Sequence, residues 1–176
     1  MQQGGVKSAF KIAHAAAEDW AHAAKAVADV LGDGARQATI GFLYVTDLLA
    51  GDLQSILTYL RQKTGVEHWV GTVGMGICAD RMEYFDRPAV AAMLATLPAD
   101  GFCVFPSLTA GLKQLHDEQR AWIARQAPVL GLVHADPSSE DLAVLINEVA
   151  AGSADFLVGG ITSSRAAHHQ VAGRVT

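Results

Sequence analysis

The chain predicts an α/β fold: a mixed, mostly parallel sheet built from two duplicated strand-helix-strand units, with an N-terminal helix and a central hairpin. Three observations lead there. Apolar runs of strand length alternate with amphipathic stretches of helix length, the pattern of parallel strands joined by crossover helices. That unit occurs twice: IGFLYVTD, DLQSILTYL and VGTVGMGI between Ile40 and Ile77, then VLGLVHADP, EDLAVLINEV and FLVGGITSS between Val129 and Ser164. On this alignment Asp47 falls opposite Asp136, Asp52 opposite Asp141, Leu53 opposite Leu142 and, with one gap, Gly71 opposite Gly159. Finally, 51% hydrophobic and only 18% charged residues over 176 positions suit one packed domain and argue against disorder.

The first element is a helix over residues 8 to 31, where Phe10, Ala13, Ala17, Trp20, Ala24, Val27 and Leu31 form one apolar stripe. Ser8 is its expected N-cap and Gly32-Asp33-Gly34 its stop. A strand over 39–46 follows, apolar without alternation, as suits a strand covered on both faces. The next helix, about 50–63, buries Leu53, Ile56, Leu57 and Leu60, and Gly65 ends it before a strand at 68–74. Residues 89–97 and 101–105 are expected to pair as antiparallel strands across the Pro98-Ala99-Asp100-Gly101 turn. A helix over 111–126 buries Leu112, Leu115, Trp122 and Ile123, and the second unit then completes the sheet. The last residues, SSRAAHHQVAGRVT, offer no element that closes a domain and read as the lead-in to a strand of a longer protein. No linker divides residues 1–176, which read as one domain.

A formal charge of −5 and no Lys/Arg cluster exclude a nucleic-acid surface, so partners are expected to be small molecules or proteins. Cys78 and Cys103 have no CxxC spacing and suit a reduced compartment. The N-terminus does not read as a signal peptide, and no apolar run reaches the ~18 residues of a membrane span. The expected location is the cytoplasm.

In open α/β sheets, ligands gather beyond the carboxyl ends of strands. Four such ends are nameable: Thr46-Asp47, Gly71 to Gly76, His134-Ala135-Asp136, and Gly159 to Arg165. Gly71, Gly74 and Gly76 have the wrong spacing for a dinucleotide fingerprint. With Gly159 and Gly160 they either admit a ligand to the backbone amides or simply allow close packing. Asp47 and Asp136 can hold a ligand amine or cap the following helices. Ser163, Ser164 and Arg165 can hold a ligand carboxylate, the arginine in a bidentate contact, or stand in solvent. His14, Glu18 and His22 share one face of the expected first helix, a polar face rather than a metal site. His168 and His169 fall in the tail. Cys103 reads as core and Cys78, beside the glycine loop, as the accessible thiol. No nucleophile-base pair stands out, so an enzyme is not expected.

The stretches from Gly41 to Ala79, from Arg87 to Leu108 and from Leu130 to Ser164 resemble the N-terminal part of the FIST family, and on that resemblance residues 1–176 are expected to be a single such domain lacking the family's usual C-terminal partner domain. The most specific pieces are Val70-Gly71 with Gly74-Met75-Gly76-Ile77, Pro88 to Phe105, and Val158-Gly159-Gly160. The resemblance implies a ligand-sensing module of bacterial signal transduction, beside or fused to a histidine kinase or a cyclic-dinucleotide enzyme. It implies an amino-acid-like ligand or, alternatively, a haem-based nitric oxide sensor, for which His134 and His68 are the ordered candidate ligands. Asp80-Arg81 departs from the small residues expected after the glycine loop, and its charges are expected to alter or close that loop.

Overall fold

The computed structural model describes residues 10–176, apart from the side chains of residues 33, 34 and 36. Strand β1 (Phe10–Ala16) leads into α1 (Trp20–Leu31), β2 (Ile40–Thr46), α2 (Leu53–Thr64) and β3 (His68–Gly74). Three short returns follow, β4 (Gly76–Ala79), β5 (Met82–Phe85) and β6 (Ala89–Ala95). The last third holds α3 (Asp117–Gln126), β7 (Leu130–Ala135), α4 (Leu142–Ser153), β8 (Phe156–Ile161) and β9 (Gln170–Ala172). It is an α/β chain with mixed sheets.

The main sheet has the order β1-β6-β2-β3-β9. Only β2 and β3 run parallel; β1–β6, β2–β6 and β3–β9 are antiparallel. The expectation of a mostly parallel sheet is thus corrected. After β3 no crossover helix follows, and a chain that turns back without one returns in the opposite direction. The second unit does not complete this sheet either, for β7 and β8 form a separate two-stranded parallel sheet.

The single helix expected over 8–31 is divided. Phe10–Ala16 lies extended, paired with β6 from Phe10↔Ala95 to Ala16↔Ala89. Alanine favours helix, but the ladder along buried β6 outweighs that preference. Helix α1 begins after Asp19, whose carboxylate accepts the His22 N–H at 2.9 Å, and Gly32 ends it as expected. Ser8, the expected cap, lies outside the described residues.

The central hairpin is also misplaced. Residues 89–95 are a strand, but its partners are β1 and β2, and 101–105 forms no strand. The turn itself forms, with Gly101 N–H donating to Pro98 O at 2.9 Å, yet it leads the chain away from the sheet. The observed hairpin is β4–β5, with Asp80 and Arg81 at its tip at φ 43° and 69°. Positive φ at both central residues gives the twist that a two-residue hairpin loop needs. The Asp80-Arg81 pair therefore closes a hairpin rather than altering the glycine loop.

The helix expected over 111–126 is broken into one 3₁₀ turn, Gly111–Gln114, and α3, none of whose residues is buried. The tail does contain a closing element, since β9 pairs with β3 from Val70↔Ala172 to Thr72↔Gln170.

The core lies between the main sheet and the first two helices. Leu53, Ile56, Leu57 and Leu60 of α2 and Val27 and Leu31 of α1 pack on Leu43, Val45, Trp69, Val73, Val90 and Leu94. On the other face Ile77, Ala79 and Tyr84 of the hairpin pack on Ala89 and Ala91, with Tyr44 beside them. These two layers fix where the carboxyl ends of β2 and β3 stand.

Candidate functional site

The apolar run of β2 ends in Thr46 and Asp47, and burial there forces both polar groups to find partners. The Thr46 hydroxyl donates to Arg87 O and accepts from Ala89 N–H, each at 2.9 Å. The Asp47 side chain is only 2% exposed. One of its oxygens accepts from Arg165 backbone N–H at 2.9 Å and Nε at 2.8 Å, and the other from Nη2 at 2.8 Å. Arg165 Nη1 also donates to Asp86, just past β5, at 2.6 Å. One arginine thus ties the chain after β8 to the end of β2 and to the hairpin. These bonds favour the charged forms: the guanidinium holds the Asp47 carboxyl down to about 2, and Asp47 raises the pKa of Arg165.

Three further contacts join the same strand ends. The Thr72 hydroxyl of β3 lies 2.7 Å from the buried Thr162 hydroxyl just after β8. Met75 N–H donates to the Ser163 hydroxyl at 3.2 Å. On β7, His134 Nε2 lies 3.1 Å from the Tyr44 hydroxyl. Burial pushes the His134 pKa down and that of Tyr44 up, so both stay neutral near pH 7.

The expected residues are distributed unevenly around this junction. Asp47 and Arg165 meet each other. Asp136 has partners of its own; its carboxylate accepts from Ser138 N–H at 2.8 Å and hydroxyl at 2.7 Å, with His168 Nδ1 at 3.7 Å. The bond from Ser138 N–H lowers the pKa of Asp136. Neither aspartate caps its helix; the N-cap positions of α2 and α4 are Asp52 and Asp141. Ser163 takes part in the junction, while the Ser164 hydroxyl accepts from Ala166 N–H in a local turn.

Gly71 and Gly159 serve strand approach. A Cβ on Gly71 would lie 1.7 Å from Leu43 O, and one on Gly159 would lie 1.8 Å from Val133 O. Gly74 and Gly76 face the hairpin, whereas a Cβ on Gly160 would meet open space. Cys78 is exposed on β4, and Cys103 is half-buried in a loop rather than in the core.

The histidines are scattered. His14 lies on β1 with Nδ1 2.5 Å from the Tyr84 hydroxyl, and His22 on α1 bonds Asp19, so they share no helix face with Glu18. His68 opens β3 against Phe102, at the far end of the strand from the junction that holds His134. His169 lends its carbonyl to Val73 N–H and the Thr72 hydroxyl. Among the described residues no three His, Cys, Asp or Glu side chains stand together as metal ligands.

Sequence reasoning missed Tyr44, Thr72, Asp86, Thr162 and His168. The legible signal was a polar residue inside or just after an apolar strand run, which at Tyr44 and Thr72 reads as ordinary strand composition.

The family model described as the FIST N domain matches residues 39–176, from the start of β2 through β9. No curated protein and no solved structure matches the chain. Among the described residues no helix is long and apolar enough to cross a membrane.

Proposed function

The chain belongs to the FIST N domain family, and on that premise we propose that it is a sensory small-ligand-binding module of bacterial signal transduction. The ligand is amino-acid-like and binds where the strand ends meet Asp47 and Arg165. One observation carries this: a buried carboxylate and a half-exposed guanidinium, already paired, present the two charges that a zwitterion needs. A ligand ammonium takes the place of Arg165 on Asp47, and the ligand carboxylate takes the freed guanidinium. Exchange of partners releases the segment after β8 from β2, which gives the ligand a preference between two conformations.

We read β2–α2–β3 and β7–α4–β8 as two copies of one unit. Gly71 and Gly159 support this, because each brings its strand within backbone contact of the parallel partner in the same way. Asp52 and Asp141, at the matching helix starts, support it too. The protein acts as a binder rather than an enzyme. Its output passes in the cytoplasm to a signalling enzyme such as a histidine kinase or cyclic-dinucleotide enzyme.

A melting screen against the standard amino acids tests the reading, preceded by an absorbance spectrum of the purified protein. At a hundredfold excess over Kd a ligand stabilises by about 2.7 kcal/mol, and Asp47→Asn should abolish the shift. If no amino acid raises the melting temperature, the ligand reading is wrong. A Soret band that survives desalting would instead restore the haem alternative with His134 or His68.

A further inference from the structure

We infer that the open face of the β7–β8 sheet docks a partner protein whose contact surface is apolar and flanked by Lys or Arg. Leu130, Leu132, Phe156 and Val158 are exposed to 62, 41, 66 and 47%. The register sets Leu130 beside Phe156 and Leu132 beside Val158. Side chains alternate along strands, so all four share one face. The opposite face turns toward the end of α4: a Cβ on Gly131 would lie 3.5 Å from the Ala154 side chain, just past that helix. Parallel strands are normally covered on both faces, and two strands alone are marginal. Strand β2 has such double cover, from α1 and α2 on one side and the β4–β5 hairpin on the other. The β7–β8 pair has cover on one face, and the other is covered only at its carboxyl end, where His134 meets Tyr44.

Charge chooses the occupant. The whole chain has 18 acidic and 13 basic residues, a net −5. Between Ala127 and Ser164 stand Asp136, Glu140, Asp141, Glu148 and Asp155, with no Lys or Arg among them. The entire excess of negative charge therefore sits in this unit, and the rest of the chain is balanced. Asp136 follows β7 and Asp155 precedes β8, so carboxylates stand at both ends of the apolar face. A second copy would set two such acidic units against each other, and an anionic lipid surface would do the same. A basic-flanked apolar surface gains from both features, for contiguous exposed apolar side chains rimmed by charge mark a contact site. This inference stands independently of the ligand site.

The probes are two synthetic amphipathic helical peptides with the same leucine stripe, one with lysines on its polar face and one with glutamates. Binding to the full chain is followed by fluorescence anisotropy at low and high salt. The lysine peptide should bind, weaken as salt rises, and bind Phe156→Ser and Leu132→Ser about tenfold less tightly. The glutamate peptide should bind at least about tenfold more weakly than its twin. Circular dichroism checks that each variant keeps its fold, and Val158→Ser replaces either one that does not. Equal binding to wild type and variants would reduce the effect to bulk charge and overturn the proposal. So would equal binding of the two peptides. A concentration-dependent dimer that Phe156→Ser abolishes would name a second copy as the occupant, and would overturn it as well.

Discussion

At the scale of single residues, Asp47 and Arg165 carry the most consequence. Arg165→Ala leaves a nearly inaccessible carboxylate without its charge partner and removes two side-chain hydrogen bonds from it. The bond from the residue 165 backbone N–H remains, so the variant should lose about 1–3 kcal/mol in urea unfolding. The same pair sets an acid limb. The folded carboxyl titrates at about 2 against 3.8 for the free group. The unfolded chain therefore binds the proton first, and the stabilisation is complete above the free value and lost as pH falls through the folded one. Unfolding free energy should drop by about 2 kcal/mol between about pH 4 and pH 2, and Asp47→Asn should flatten that limb. Both residues were legible as polar groups at strand ends. Their bond was not, because it joins positions 118 apart in sequence and depends on where β8 is laid against β2.

At the scale of elements, the two strand-helix-strand segments share a pattern but differ in burial. Leu57 on α2 is wholly buried, whereas Leu145 on α4 is only half-buried. Leu57→Ala should cost about 2–5 kcal/mol, and Leu145→Ala less than about 1 kcal/mol. The glycines make the same comparison in the backbone. Gly71→Ala drives a Cβ into a carbonyl inside the five-stranded sheet and should cost about 3 kcal/mol or more in a urea titration. Gly159→Ala meets nearly the same clash in a sheet of two strands, which can separate locally, and should cost about 1 kcal/mol. Equal losses at the two sites would mean that β7–β8 is as tightly held as β2–β3.

At the scale of the whole molecule, the large apolar cluster spans α1, α2, the main sheet and Val171 of β9, and it omits β7, α4 and β8. Amide exchange should accordingly be slowest in β2, β3 and β6 and faster in β7 and β8, which open without disrupting the core. Coincident exchange in both regions would show one cooperative unit instead. By itself the sequence determined the α/β class, the extents of β2, α2 and β3, the stops at Gly32 and Gly65, and the second strand-helix-strand run. Each is written in local periodicity and turn chemistry, which act over a few residues. The tertiary structure alone decided that Phe10–Ala16 is a strand, that β6 pairs with β1 and β2, and that β7–β8 forms its own sheet. It also decided that Arg165 answers Asp47. In each case the deciding partner lies far away in sequence, and a ladder or a buried charge takes its energy from that partner and not from its neighbours.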